Sequence, residues 1–308
     1  MNLVLHVGSH GTETATFQAF LRQHRQIFQT SGVALVAKSY VVDNHDVYRS
    51  NYRHAYAAAK PTELRSLLAP FFELVRQSGS ASSFLSDEDI MGPVPGSKPG
   101  FYPDASDRLK AVIDAAKAEN VRVVLFVRAQ HDLLDSSFCQ RYTDGKPILL
   151  EEFLSISDIR QWSWAHLIER IERIVGANNI IVRPYEAVKL SGHQIEYNIV
   201  ISKLFPQLPV LGFSTKIVAS NLPRKAREIM FSARKENAPK ELRELAQQLR
   251  PRKPVDETVL PEIFRQAIIA HHGPRNLDVF ERFIPDLSPE ALGYSVGSAA
   301  PLRTRKVG

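Results

Sequence analysis

Residues 121–140 read VRVVLFVRAQHDLLDSSFCQ, an apolar β-branched run from Val121 to Val127 that stops at Arg128 and gives way to a stretch suited to a helix. A near-continuous apolar run of this length marks a strand buried on both faces, as in a parallel sheet. Four shorter runs share its character: Leu3 to Val7, Val33 to Val36, Ser83 to Leu85 and Ile180 to Val182. Between them, apolar residues recur at helical spacing. Phe17, Phe20, Leu21, His24, Ile27 and Phe28 fall on one face, as do Leu109, Val112, Ile113 and Ala116. The clearest series is Trp164, Leu167, Ile168, Ile171, Ile174 and Val175, closed by Gly176 as a helix terminator. Leu64, Leu67, Leu68, Phe71 and Val75 predict a helix between Pro61 and Gly79, which Pro70 should kink by clashing with the carbonyl of Ser66. Strands alternating with helices imply an α/β fold, a central parallel sheet flanked by helices, because parallel neighbours need long crossovers. The expected division is an α/β core over residues 1–215 and a helical C-terminal region over 216–308, packed on the same domain.

The 308 residues, 44% hydrophobic and 23% charged, are those of an ordinary globular chain. No apolar run is long enough to span a bilayer, and the chain enters a strand at once without a signal-peptide pattern, so a cytoplasmic location is expected. The single cysteine, Cys139, excludes an intrachain disulfide framework and a cysteine-based zinc cluster, and reads as a small buried hydrophobe. His271 and His272 are adjacent and splay apart on a helix, and no H-E-x-x-H motif of the zinc-protease kind occurs, so no metal is expected. The net charge of +6 is concentrated in residues 224–253, where ten Lys/Arg face four Glu. Such an excess suits an anionic partner or a solvated helix face. No nucleic-acid-binding motif accompanies it, so nucleic acid is not expected. Arg303 to Gly308 read as a flexible basic tail.

Ligands of parallel sheets bind beyond the carboxyl ends of the strands. The turns there begin at Gly8, Lys38, Ser86, Arg128 and Arg183. The first, Gly8-Ser9-His10-Gly11-Thr12-Glu13-Thr14-Ala15-Thr16, enters a helix and offers backbone N–H groups and a positive dipole end to a phosphate. It is not a Walker A loop, having no G-K-[ST], and the Glu13 carboxylate would repel an anion. On the other reading, Thr12 caps the helix and Glu13 satisfies its dipole. In the fourth turn, Arg128 can fork onto an oxyanion with Ser136 adding a hydroxyl, or pair with Asp132 or Asp135. The Pro/Gly-rich stretch from Gly92 to Pro103 reads as a mobile loop, a lid or a surface excursion.

Taken together, these segments resemble bacterial sulfotransferase-like proteins that use 3′-phosphoadenosine 5′-phosphosulfate (PAPS). Leu5-His6-Val7-Gly8-Ser9-His10, the Thr-rich turn and Gln18 are similar to that family's opening, approximately H-I-G-x-H-K-T-G-T-T-S-x-Q. Arg128 to Gln140 is similar to its second motif, R-x-Q with a serine eight residues after the arginine and a glutamine four later. Phe84 to Glu88 and Ile181 to Glu186 continue the resemblance in order, with weaker echoes at Ser220-Asn221-Leu222 and at Asn276-Leu277 before Phe280.

The resemblance implies that Ser9, His10, Gly11, Thr12, Glu13 and Thr14 occupy the place of the 5′-phosphosulfate loop. It puts Arg128 and Ser136 at the 3′-phosphate, Tyr185 beside the nucleotide, and Glu88, or His10, as the base for an acceptor hydroxyl. PAPS would be the donor, PAP (adenosine 3′,5′-bisphosphate) the product, and a hydroxyl-bearing glycan or small molecule the acceptor. The chain departs from the pattern in the first turn. Gly11 stands where the family has a lysine, Glu13 where it has a glycine, and Ala15 where it has a hydroxyl residue. Losing the lysine removes a charge-assisted donor, which can cost about a hundredfold in rate. Two readings follow: a sulfotransferase, or a catalytically degenerate nucleotide-binding or regulatory protein on the same fold.

Overall fold

The computed structural model describes residues 1–37, 60–213, 222–234, 236–249 and 258–295. Lys38, Ser220, Asn221, residues 235 and 250–253 of the basic stretch, and the tail at 303–308 lie outside them. β1 (Asn2–His6) leads through the first turn to α1 (Thr14–Gln23), α2 (Arg25–Thr30) and β2 (Val33–Ala37). Next come α3 (Pro61–Gln77), β3 (Ser82–Ser86), a 3-10 turn at Glu88–Met91, α4 (Ala105–Ala116) and β4 (Asn120–Val127). α5 (Gln130–Thr143), α6 (Leu150–Ser157) and α7 (Trp164–Val175) precede β5 (Ile180–Pro184), which runs into α8 (Tyr185–Ser191) and α9 (His193–Leu204). The remaining described helices are α10 (Arg224–Ala233), α11 (Pro239–Gln248) and α12 (Glu262–Phe283).

The five strands pair in parallel in the order β2-β3-β1-β4-β5. The chain leaves β1 toward one edge of the sheet and leaves β4 toward the other. The crevice where the strand order reverses therefore lies between the carboxyl ends of β1 and β4. Alternation along the strands divides the core. Leu3, Leu5, Val123 and Leu125 face one layer with α3, α4 and α7, and Val4, Val124, Phe126 and Phe84 face the other with α1, α2 and α9. Each strand coincides with its apolar run to within about two residues, the usual uncertainty of element ends. α7 spans the expected residues and ends at Gly176, whose φ of 81° suits glycine.

One local expectation changes. The series from Phe17 to Phe28 is two helices, because His24 leaves helical geometry (φ −104°, ψ 14°) and turns its ring nitrogen to the Gly212 carbonyl, 2.6 Å away. α3 is continuous through Pro70, with Leu68, Phe71 and Phe72 buried around it.

The C-terminal helices lie on the same core: Leu222, Met230, Leu242, Ile268 and Phe280 join Leu134, Phe138 and Trp162 in one apolar cluster. Polar contacts fix them. The amides of Gln130 and Asn276 bond reciprocally at 3.0 Å, and Arg265 reaches Asp132 (2.8 Å) and Asp135 (3.1 Å). The basic stretch is not wholly a solvated face, since Arg227 is buried and donates to the Leu222 carbonyl. Among the described residues no helix is long and apolar enough to cross a membrane.

Candidate functional site

The first turn continues sheet pairing for one residue, Val7 N–H donating to the Val124 carbonyl at 3.0 Å, and then folds on itself. Gly8 (φ 66°) has no room for a side chain, since a β-carbon there would stand 2.9 Å from that of Glu88. The Thr12 hydroxyl donates to the Ser9 carbonyl (2.7 Å) and accepts from the Ser9 N–H (3.3 Å). Thr12 therefore braces the turn and does not cap the helix, contrary to the capping expectation. The cap position belongs to Glu13, in left-handed geometry (φ 54°, ψ 39°) and with no side-chain capping bond. Among the described residues the backbone N–H groups of Gly11, Thr12, Glu13 and Thr14 meet no acceptor.

Arg128, at the end of β4, crosses to this turn and donates from Nη1 to the Gly11 carbonyl at 2.5 Å. Its guanidinium lies over the Tyr185 ring, 5.1 Å from the centroid, and its Nε is buried with no hydrogen-bond partner among the described residues. The expected alternative, a pair with Asp132 or Asp135, is not formed because Arg265 takes both carboxylates. Ser136, two turns along α5, stands against Gly11: a β-carbon on Gly11 would lie 2.6 Å from its hydroxyl oxygen. Behind Arg128, Trp164 donates to the Arg128 carbonyl (2.7 Å) and Ala129 N–H donates to Glu186 (3.1 Å). The other Glu186 oxygen receives the Tyr294 hydroxyl at 2.6 Å. Burial raises the Glu186 carboxyl against the opposing effect of these bonds and of Arg128.

The Glu13 carboxylate turns toward α8 and α9 and away from the first turn. The Tyr185 hydroxyl donates to one of its oxygens at 2.6 Å and the His193 Nε2 lies 2.7 Å from the other. Burial alone would raise this carboxyl. Hydrogen bonds from His193 and Tyr185, with the charges of His193 and Arg128, outweigh it and hold Glu13 below its usual range.

On the β3 side, Glu88 opens the 3-10 turn and accepts from Gln18 Nε2 at 3.3 Å, while Gln18 also donates to the Ser86 carbonyl. His10 is held from both ends, Nδ1 at 3.2 Å from the Tyr102 hydroxyl and Nε2 at 3.4 Å from Asp89. The His10 N–H also donates to Tyr102. Oxygens of Asp87, Glu88 and Asp89 lie within 4.8 Å of one another, the one set among the described residues with metal-binding spacing. His271 and His272 turn their Nε2 atoms to the neighbouring carbonyls of Arg160 and Ile159.

The stretch from Gly92 to Pro103 is anchored to the core at several points. Phe101 and Tyr102 are buried, Gly96 sits against the Phe153 ring, and Arg170 holds the Phe101, Tyr102 and Pro103 carbonyls.

All the residues expected from sequence thus gather around the β1 and β4 ends. Ser9, His10, Gly11, Thr12, Glu13 and Thr14 form one turn, with Arg128 and Ser136 against Gly11, Tyr185 against Glu13 and Glu88 against Gly8. Sequence reasoning missed Tyr102, Asp89, His193 and Lys189, whose Nζ lies 5.2 Å from the Tyr185 ring centre. Tyr102, Asp89 and His193 carry no local signal, because each acts through a contact across the fold, whereas Lys189 sits one turn after Tyr185 on α8. No protein-family model and no curated protein sequence match the chain. Among solved structures, a sulfotransferase from Alicyclobacillus acidocaldarius is similar at 12% identity, covering 75% of this chain and 91% of its own, with a TM-score of 0.41.

Proposed function

We propose that the chain is a sulfotransferase, passing a sulfuryl group from PAPS to a hydroxyl of a glycan or small molecule. The observation that carries this reading is the contact of Arg128 and Ser136 with Gly11, which joins the two stretches that resemble the halves of a PAPS site. The site fits an anionic nucleotide. Arg128 has a buried Nε without partner, the turn offers unengaged N–H groups, and the one carboxylate in the turn is occupied by Tyr185 and His193.

The donor supplies a sulfuryl group attached to a phosphate that leaves readily. The N–H groups of Gly11 to Thr14 would hold its 5′ end, Arg128 and Ser136 its 3′-phosphate, and Tyr185 would flank the nucleotide. Glu88, oriented by Gln18, takes the proton from the acceptor hydroxyl, and His10, held by Tyr102 and Asp89, is the second candidate base. Charge developing on the transferred group would meet the turn's dipoles.

Gly11 favours a second reading, a nucleotide-binding or regulatory protein without turnover. The turn has no lysine, and Ser136 occupies the space a side chain at residue 11 would need. Calorimetric titration with adenosine 3′,5′-bisphosphate tests both readings when combined with labelled donor and a broad acceptor panel. Binding lost in Arg128→Ala is expected, and no binding by the wild type would end the nucleotide reading. Binding without any sulfated product would select the regulatory reading.

A further inference from the structure

Glu13 is the residue that most plainly opposes an anion site, and its surroundings give it the contrary role. It adopts a left-handed backbone that residues with a β-carbon rarely take, at a helix start where its carboxylate could cap α1 but does not. Both carboxylate oxygens instead reach residues more than 170 positions away, Tyr185 on α8 and His193 on α9. The Tyr185 ring so fixed lies under the Arg128 guanidinium, and Arg128 returns to the first turn through the Gly11 carbonyl, two residues before Glu13. The contacts close a ring: Gly11, Glu13, Tyr185, Arg128 and Gly11 again.

We infer that Glu13 is a positioning residue for the anion site, holding Tyr185 beneath Arg128 while His193 engages its other oxygen. This inference rests on the nucleotide reading proposed above and assigns the substitution of a family glycine a constructive purpose. A bare glycine at residue 13 would relax the backbone but release Tyr185, and with it the platform on which Arg128 rests. The like charge that Glu13 brings to the turn is already engaged by two donors, so its removal gives an incoming phosphate little.

The test compares wild type, Glu13→Gly, Glu13→Gln and Tyr185→Phe by titration with adenosine 3′,5′-bisphosphate. In parallel, NMR follows hydrogen exchange of the Arg128 Nε–H in the nucleotide-free proteins. Glycine is at ease at this backbone angle, so Glu13→Gly does not put the fold at risk. The expected result is an affinity about tenfold weaker in Glu13→Gly and in Tyr185→Phe. Glu13→Gln, which keeps an acceptor for Tyr185, should recover binding to within about threefold of wild type, on the scale of a retained neutral hydrogen bond. Nε–H exchange should quicken in Glu13→Gly and be restored in Glu13→Gln, which a general loss of stability would not reproduce. Binding by Glu13→Gly that equals or exceeds wild type overturns the inference and leaves the nucleotide reading intact. If wild type binds no bisphosphate, the nucleotide reading fails on its own, and the exchange data decide the positioning role: unchanged rates in Glu13→Gly refute it.

Discussion

Gly11→Ala should destabilise the protein by about 2–5 kcal/mol, from two sources that the geometry separates. The backbone at residue 11 has φ 75°, where a β-carbon costs about 1–2 kcal/mol. The new carbon would also lie 2.6 Å from the Ser136 hydroxyl oxygen and 3.2 Å from its Cβ, an overpacking worth about 1–3 kcal/mol. Reversible urea unfolding of four proteins resolves the parts: wild type, Gly11→Ala, Ser136→Ala and the double variant. Ser136→Ala removes the closer atom, so the double variant should recover most of the packing cost and keep the backbone cost. Gly11→Lys suffers both penalties and directs its chain from the same crowded point, 3.4 Å from Arg128 Nη1. Installing a lysine at this position by itself should therefore lower stability. A Gly11→Ala protein within about 0.5 kcal/mol of wild type would refute the reasoning.

Arg183 is 1% exposed and forks onto the equally buried Glu196 while also gripping Asp286, so Arg183→Met should cost about 3–5 kcal/mol by urea unfolding, with Arg183→Met/Glu196→Met recovering most of it. Equal losses in the single and double variants would contradict this account. Burial lowers His6 from 6.5 to about 3, and His131 and His272 to about 4. The unfolded chain thus binds more protons, and stability that is complete above about pH 6.5 should fall by about 1.4 kcal/mol per pH unit per histidine as the pH drops toward 4. His131→Gln should flatten that acid limb, and an unchanged slope would count against the effect. Tyr102→Phe removes the acceptor of the His10 N–H and should cost about 1 kcal/mol of stability, measured by thermal unfolding, and loosen the first turn.

The strands were legible because the physics that forms them is local: Val121 to Val127 can hardly be anything but a doubly covered strand. α7 was legible for the same reason, its apolar face and Gly176 lying within one segment. That the candidate residues would lie together was legible, but their wiring was not. Arg128 could be matched to an oxyanion or to Asp132 and Asp135, and only Arg265, about 130 residues away, removes the second pairing by claiming both carboxylates. Glu13 could be read as a repulsive charge, because nothing near it announces His193 or Tyr185. Thr12 was expected to cap α1, as its residue type suggests, yet the φ of Glu13 shifts the helix start by one residue and turns Thr12 inward. The segment ending at Pro103 resembled a lid by composition, and Arg170 and the His10–Tyr102 contact pin it through distant partners. Cys139 followed its composition: it is buried, with its thiol pushed up to about 11, chiefly by burial.

Glu186 has one oxygen on the backbone of Ala129 and the other on the hydroxyl of Tyr294. On the ribosome this has a temporal meaning. The sheet can be complete once β5 has emerged, but the buried carboxylate behind Arg128 lacks its second donor until residue 294 follows, a hundred residues later. The nascent chain can therefore assemble its scaffold early while the turn at Arg128 waits for nearly the whole polypeptide. Loss of the segment around Tyr294 would strike the Arg128 turn from behind, at a distance in sequence that gives no warning of it.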